Sequence, residues 1–144
     1  MRLTFTLLTA SLVLFSLTAL ASAAQPLEMV FADMEGGAST LIVTPAGESV
    51  LIDCGSRCAD ERDARRIFAS AKELGLKAID HLVITHYHSD HWGGVLQLQR
   101  LIPIRKCYDH GPLPDLREDK DYASYLADYE QVCRGARTTL RLGS

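Results

Sequence analysis

Three histidines and one aspartate fall within six residues, directly after an unbroken apolar run, and this cluster constrains the fold more than any other feature. The cluster is His86-Tyr87-His88-Ser89-Asp90-His91, and the run before it is Leu82-Val83-Ile84. An apolar run of this kind predicts a strand buried on both faces of a sheet. Ligand-binding residues of α/β proteins gather at the carboxyl ends of such strands. The sequence therefore predicts a functional site at one edge of an α/β sheet.

The residue types in the cluster indicate metal chemistry. Neutral imidazole and carboxylate are ligands that zinc accepts. Side chains two residues apart in an extended segment point the same way, so His86 and His88 can hold one ion together. Asp90 and His91 are adjacent and project differently, which suits a second ion. The alternative is a chance cluster of surface histidines, which is disfavoured because the chain has 5 histidines and three lie here.

The rest of the chain alternates strands and helices, which predicts a mixed α/β fold with helices packed on a sheet. Strands are predicted over residues 28–33, 39–44, 49–53, 79–85 and 104–108, and another begins at 138. The second and third form a hairpin. Helices are predicted over 60–75, 92–101 and 120–134, with Asp60 as the cap of the first.

Two features leave alternatives open. The last helix carries Tyr122, Tyr125 and Tyr129, which could stack on bases or sugars, although helical spacing favours core packing. Four cysteines allow three full disulfide pairings, and the sequence does not choose among them. Cys54 and Cys58 could share a loop, whereas Cys107 and Cys133 would link a strand to a helix.

The first residues resemble an export signal. A basic start is followed by an apolar run over residues 3–20 and by the small-residue pattern Ala21-Ser22-Ala23. We expect residues 1–23 to be removed, leaving one domain over 24–144 in the periplasm or outside the cell. An uncleaved membrane anchor is the alternative.

The charge pattern limits the partners. The net charge is -3 and no basic tract occurs, so the sequence predicts no strong nucleic-acid surface. No membrane association is expected after cleavage, and the oligomeric state is left open. A small-molecule or phosphoester substrate is compatible with this balance, because bound metal supplies local positive charge.

Several segments together resemble a known family. Residues 85–94, THYHSDHWGG, resemble the HxHxDH signature of the metallo-β-lactamase superfamily, and residues 51–55 are similar to its strand-end Asp and Gly. Residues 31–38 and 108–111 resemble the hydrolase domain of the DNA-uptake competence protein and its stand-alone secreted relatives. The resemblance extends from about residue 29 to residue 111.

The resemblance implies an αββα sandwich with a site for two metal ions, usually zinc. His86 and His88 would bind the first ion, and Asp90 and His91 the second. Asp90 would also accept a proton from the attacking water. Asp53 would orient the loop, although a plain strand-end turn residue is an equal alternative.

The chain also departs from the family pattern, whose further ligands come from the second half of the sandwich. After His91 there is one more histidine, His110, for which a loop or substrate-side role is favoured over direct ligation. We therefore expect the N-terminal half of the sandwich only, with one apolar sheet face lacking its partner layer. The implied function is an exported zinc-dependent hydrolase, and the alternative is a non-catalytic metal-binding module.

Overall fold

The computed structural model describes residues 25–111, 120–141 and 143. The predicted export signal and its cleavage position lie outside these ranges. The described residues form a six-stranded sheet and four helices, which confirms the mixed α/β prediction. In chain order the elements are β1 (Glu28–Phe31), β2 (Thr40–Val43), β3 (Ser49–Ile52), α1 (Arg62–Glu73), β4 (Ile79–Val83), α2 (Ser89–Trp92), α3 (Val95–Leu101), β5 (Ile104–Asp109), α4 (Tyr122–Val132) and β6 (Arg137–Thr139).

The strands follow one another across the sheet in the order β1-β2-β3-β4-β5-β6. The pairs β1–β2 and β2–β3 are antiparallel, so the predicted hairpin is confirmed. The pairs from β3 to β6 are parallel. Ile52 pairs with Val83, and Val83 pairs with Tyr108. The residues that follow these three strands therefore meet at one edge of the sheet, which is where the sequence placed the site.

The two faces of the sheet differ in burial. Leu41, Leu51 and Leu82 are at most 2% exposed and belong to the core that the helices complete. On the opposite face Val83 is only half-buried. At the β1 end of that face Phe31 is 74% exposed. The prediction that β4 is buried on both faces is therefore wrong, and the described residues supply one sheet and one helix layer of the expected sandwich.

The helix predicted over residues 92–101 is confirmed as α3, although α3 begins three residues later than predicted and the shorter helix α2 precedes it. α2 starts at Ser89 and α3 starts at Val95. The break falls at Gly93-Gly94, where the chain packs closely against the segment after β3. A Cβ atom on Gly94 would lie 2.5 Å from the carbonyl oxygen of Cys54. Close backbone contact thus interrupts the apolar helical pattern.

Helix α1 matches its prediction except at its first residue. The cap position is Glu61, in the left-handed region with φ 56, and it makes no side-chain cap hydrogen bond. Asp60 still contributes, because its carboxylate accepts the backbone N–H of Arg62 at 3.2 Å. The apolar stripe points inward as predicted, and Ala64, Ile67 and Ala71 are buried.

The open alternatives for α4 and the cysteines are resolved by packing. The rings of Tyr122, Tyr125 and Tyr129 lie 5.5, 6.5 and 5.6 Å from the Trp92 ring, so core packing is confirmed. Cys107 and Cys133 form a disulfide that joins β5 to the end of α4, while Cys54 and Cys58 are free. None of the described helices is long and apolar enough to cross a membrane.

Candidate metal centre

We call residues 85–91 the histidine loop. Main-chain hydrogen bonds hold it and the residues that follow it against two other segments, one at Ala38 and one at Cys54-Gly55. The N–H groups of Ala38 and Cys54 donate to the carbonyls of Asp90 and His91, at 3.2 and 2.7 Å. Gly94 N–H donates to the carbonyl of Gly55 at 3.0 Å, and Gly55 N–H donates to that of Ala38 at 3.1 Å. We call these four hydrogen bonds the backbone frame. These bonds fix the position of the loop without using any side chain.

Asp53 lies beneath the loop and is 2% exposed. Its backbone is left-handed, with φ 58, which turns the carboxylate from the end of β3 toward the end of β4. One oxygen accepts the backbone N–H of Thr85 at 2.8 Å, and the other accepts the Thr85 hydroxyl at 2.7 Å. The second oxygen also lies 2.7 Å from Nδ1 of His91. Asp53 is thus more than a strand-end turn residue, because it binds both ends of the loop.

These contacts set the proton positions on two imidazoles. A carboxylate only accepts, so Nδ1 of His91 donates to Asp53, and in the neutral ring the lone pair is on Nε2. The Thr85 hydroxyl donates its only proton to Asp53. Its oxygen also lies 3.1 Å from Nδ1 of His86, so it can only accept a hydrogen bond there. Nδ1 of His86 must therefore be the donor there, and in the neutral ring its lone pair is also on Nε2. One buried carboxylate thereby orients both rings, His91 directly and His86 through Thr85.

The histidine rings lie close together. The centroid of the His86 ring is 3.8 Å from that of His91 and 4.9 Å from that of His88. Burial, followed by the neighbouring His91 and His88, lowers the pKa of His86. The neutral imidazole is therefore favoured, and this is the form that binds a metal ion.

The donor types fit zinc, but the arrangement is incomplete. His86 and His88 precede α2, whereas Asp90 and His91 lie on it. Oδ2 of Asp90 is 3.7 Å from Nε2 of His91, and the Asp90 side chain is 39% exposed. Among the described residues, no three His, Cys, Asp or Glu side chains converge in a geometry that could hold an ion. Of the predicted ligands, His86 and His91 are therefore the two whose rings are fixed by hydrogen bonds.

A second buried network, centred on Asp109, adjoins the loop, and the sequence did not reveal it. Asp109 is 1% exposed and accepts the Tyr129 hydroxyl and the Gly111 N–H, each at 2.9 Å, together with the Arg137 guanidinium. Burial alone would raise the pKa of Asp109, but the hydrogen bonds from Arg137, Gly111 and Tyr129 outweigh it and lower the pKa. The partners lie up to 28 residues away in the sequence, so no local motif marks them.

Tyr87 connects the Asp109 network to the histidine loop. It stands between His86 and His88 in the sequence and is 2% exposed. Its ring lies 5.1 Å from the Trp92 ring, and its hydroxyl donates to the Gly111 carbonyl at 3.3 Å. The ring of His110 is 4.7 Å from the Tyr87 ring, and His110 is exposed. His110 therefore lies beside the loop through Tyr87, and no described contact joins it to the other predicted ligands.

Comparison with known proteins gives a consistent family. A family model described as the metallo-beta-lactamase superfamily matches residues 33–138. The chain is 36% identical over 78 residues to atrochrysone carboxyl ACP thioesterase dmxR1 of a Cryptosporiopsis species, covering 53% of this chain and 23% of that protein. It is 35% identical over 101 residues to transcription termination factor FttA of Methanocaldococcus jannaschii, covering 69% of this chain and 15% of that protein.

Among solved structures, the chain is similar to MEM-A1, a subclass B3 metallo-beta-lactamase from a soil metagenome library. The identity is 28%, with a TM-score of 0.45, and the match covers 56% of this chain and 29% of that one. The chain thus spans less than a quarter of the length of the two relatives named above.

Proposed function

This chain belongs to the metallo-beta-lactamase superfamily, and from that membership we propose that it is an exported zinc-dependent hydrolase. The observation that carries the proposal is the Asp53 carboxylate, which prepares the imidazoles of His86 and His91 to bind metal through Nε2. Structural histidines do not require this arrangement, whereas metal-ligating histidines commonly donate their other ring N–H to an oxygen acceptor.

In this proposal His86 and His88 hold one zinc ion, and Asp90 and His91 hold a second. Bound zinc would supply a Lewis acid that polarises the bond to be cleaved and would lower the pKa of a water to about 7. Asp90 takes the proton of the attacking water, a role that suits a half-exposed carboxylate on a loop fixed by its own backbone. Asp53 stays beneath the loop and keeps the two rings oriented.

We propose that the enzyme cleaves the ester or thioester bond of a carboxylic acid derivative, or the ester bond of a phosphoric acid derivative. The thioesterase relative supports attack on a thioester, while the resemblance of residues 31–38 and 108–111 to the competence-protein hydrolase supports a phosphoester. A lactam fits the same chemistry. The substrate is a small molecule or a phosphoester, and no basic patch for nucleic acid is expected from the net charge of -3.

Export is supported by two independent features. Residues 1–23 have the pattern of a cleaved signal, and the disulfide Cys107–Cys133 is a bond that persists in oxidising compartments. We expect the protein in the periplasm or the medium, with Ala24 as its first residue. Cell fractionation with N-terminal sequencing tests this, and a cytoplasmic protein that retains Met1 would contradict it.

A second candidate function is a metal-binding module without turnover. It is favoured by the lack of a converged three-ligand group within the described ranges. The two proposals differ in whether bound zinc produces hydrolysis.

The deciding experiment measures zinc content and hydrolysis in the same preparation of the full chain. We expect bound zinc, hydrolysis that a chelator abolishes and zinc restores, and loss of both in the variant His86→Ala/His88→Ala. The matched control is His81→Ala, because His81 lies on β4 and contacts Glu48 and Tyr108, away from the loop. Zinc without turnover selects the metal-binding module, and absence of zinc from the wild-type protein overturns both.

A further inference from the structure

The exposed histidine beside the loop, His110, is held by two buried anchors. On one side is Asp109, 1% exposed and fixed by the Arg137 guanidinium and the Tyr129 hydroxyl. On the other is Gly111, whose N–H donates to Asp109 and whose carbonyl accepts the Tyr87 hydroxyl. The backbone on both sides of His110 is therefore fixed while its side chain is exposed, and a group that acts on a substrate needs such a fixed support.

The position of His110 is beside the histidine loop. Parallel neighbours in a sheet lie about 4.8 Å apart. β4 and β5 are such neighbours, and the N–H of Ile84 donates to the Tyr108 carbonyl at 2.8 Å. His86 follows that hydrogen bond by two residues on one strand, and His110 follows it by two on the other. The Tyr87 ring, 4.7 Å from the His110 ring, lies between the two ligand histidines in the sequence.

His110 also differs from His86 and His91 in its surroundings. The rings of His86 and His91 are fixed by Thr85 and Asp53, which prepares them to bind metal. His110 instead lies against the apolar ring of Tyr87 and is exposed to solvent. Solvent exposure lets an imidazole regain a proton from water after each turnover, which a metal ligand does not need to do.

We propose that His110 is the general acid that gives a proton to the leaving group during hydrolysis. This inference rests on the proposed function and deepens it. The oxygen of the attacking water forms a bond to the acyl carbon or phosphorus, and its proton passes to Asp90. The bond to the leaving group then breaks, the leaving oxygen or sulfur takes a proton from the His110 imidazolium, and the ring regains it from solvent.

The test uses two matched pairs of probes, the p-nitrophenyl and ethyl esters of butyric acid and the p-nitrophenyl and ethyl esters of phenylphosphonic acid. p-Nitrophenolate leaves without being protonated, whereas ethoxide does not. In His110→Ala we expect kcat/KM to fall about 100-fold on the ethyl ester that the wild type cleaves, and less than about 3-fold on its p-nitrophenyl partner. His110→Gln should behave like His110→Ala, because an amide cannot transfer a proton. The zinc content should equal that of the wild type.

Three results would overturn the inference. Equal losses on both leaving groups would mean a structural role, recovery in His110→Gln would mean simple hydrogen bonding, and loss of zinc would make His110 a ligand. Failure of the proposed function looks different, because the wild-type protein would then cleave none of the four esters, and this inference would fall with it. His81→Ala, within β4 and before the histidine loop, should leave all four rates unchanged.

Discussion

Two buried aspartates, Asp53 and Asp109, lie at the ends of parallel strands and have different partners. Asp53 follows β3 and binds Thr85 and His91, both of them part of the histidine loop. Asp109 ends β5 and binds backbone, a tyrosine and an arginine that hold α4 and β6. The same residue type, equally buried, therefore stabilises the architecture at one strand end and prepares a site at the other.

The charges of the two aspartates are balanced differently. The permanent cation of Arg137 pairs with Asp109. For Asp53, the ion-pair partner within the described ranges is His91, which carries a charge only when it is protonated. A buried carboxylate without a permanent cation is costly, so a metal ion on His91 would offset that cost. We therefore expect changes near Asp109 to alter stability and changes at Asp53 to alter zinc binding.

The largest effect is expected from removing the disulfide on the Asp109 side. Cys107 and Cys133 are separated by 26 residues. Closing a loop of that size stabilises a protein by about 3 kcal/mol, chiefly by restricting the unfolded chain. The variant Cys107→Ala/Cys133→Ala should lose about that much free energy of unfolding in urea and keep its zinc per folded molecule. Cys58→Ala, which removes a free cysteine, is the control.

Next in size is Asp109→Asn, which should lower the free energy of unfolding by about 2 kcal/mol. The change leaves Arg137 without its carboxylate and weakens the bonds from Tyr129 and Gly111. Zinc affinity should stay within about 3-fold of wild type if the two aspartates have separate roles. A larger loss of zinc affinity would break the comparison and show that the Asp109 network also controls the loop.

Asp53→Asn should give the opposite result. Zinc affinity should fall about 10- to 100-fold, because an amide cannot accept from both Thr85 and His91 as the carboxylate does. The free energy of unfolding should fall by only about 1 kcal/mol. Titration calorimetry and urea melts measure the two quantities. Asp80→Asn, at the opposite end of the sheet, is the matched control, and equal zinc loss there would remove the special role of Asp53.

The smallest effect concerns acid. The pKa of Asp109 is lowered in the folded protein, so its stabilising contribution is complete above the unfolded value of about 3.9 and is lost as pH falls through the folded value. Wild type and Asp109→Asn should therefore differ in free energy of unfolding by a constant amount above about pH 5, and converge by about 1 kcal/mol below pH 4. Urea melts across this range measure it, and a constant gap down to pH 2 would contradict it.

The sequence predicts local features of this protein better than features that depend on distant partners. The β2–β3 hairpin, helix α1 and strands β4 and β5 follow from periodicity and turn residues, and the structure confirms them. The two glycines Gly93-Gly94 indicate a tight backbone turn after the histidines, but the sequence does not reveal the close contact of Gly94 with the carbonyl of Cys54, about 40 residues earlier. The apolar run of β4 predicted burial on both faces, because such a run does not reveal whether a second layer covers the strand. The uncovered face followed instead from the expectation that only half of the sandwich is present.

The same holds for the candidate site. The sequence indicated His86, His88, Asp90 and His91 from their spacing. The structure places all four at the predicted sheet edge, the first two before α2 and the last two on it. It left two interpretations of Asp53 equal, because a strand-end aspartate looks alike whether it turns the chain or holds a ligand. The roles of Thr85 and Tyr87 were missed, since a hydroxyl or a ring between histidines has no periodicity of its own.

The backbone frame has a consequence for how such a protein changes over generations. None of its four hydrogen bonds uses a side chain, so most substitutions around the loop leave the frame intact. Exceptions include Gly37 and Gly94, where an added Cβ would lie 2.5 Å from the carbonyl oxygen of Asp90 or Cys54, and Gly55, where it would lie 2.7 Å from Oδ2 of Asp63. Side chains around the loop can therefore be replaced one at a time during evolution, and substrate preference can change, while these backbone hydrogen bonds stay in place.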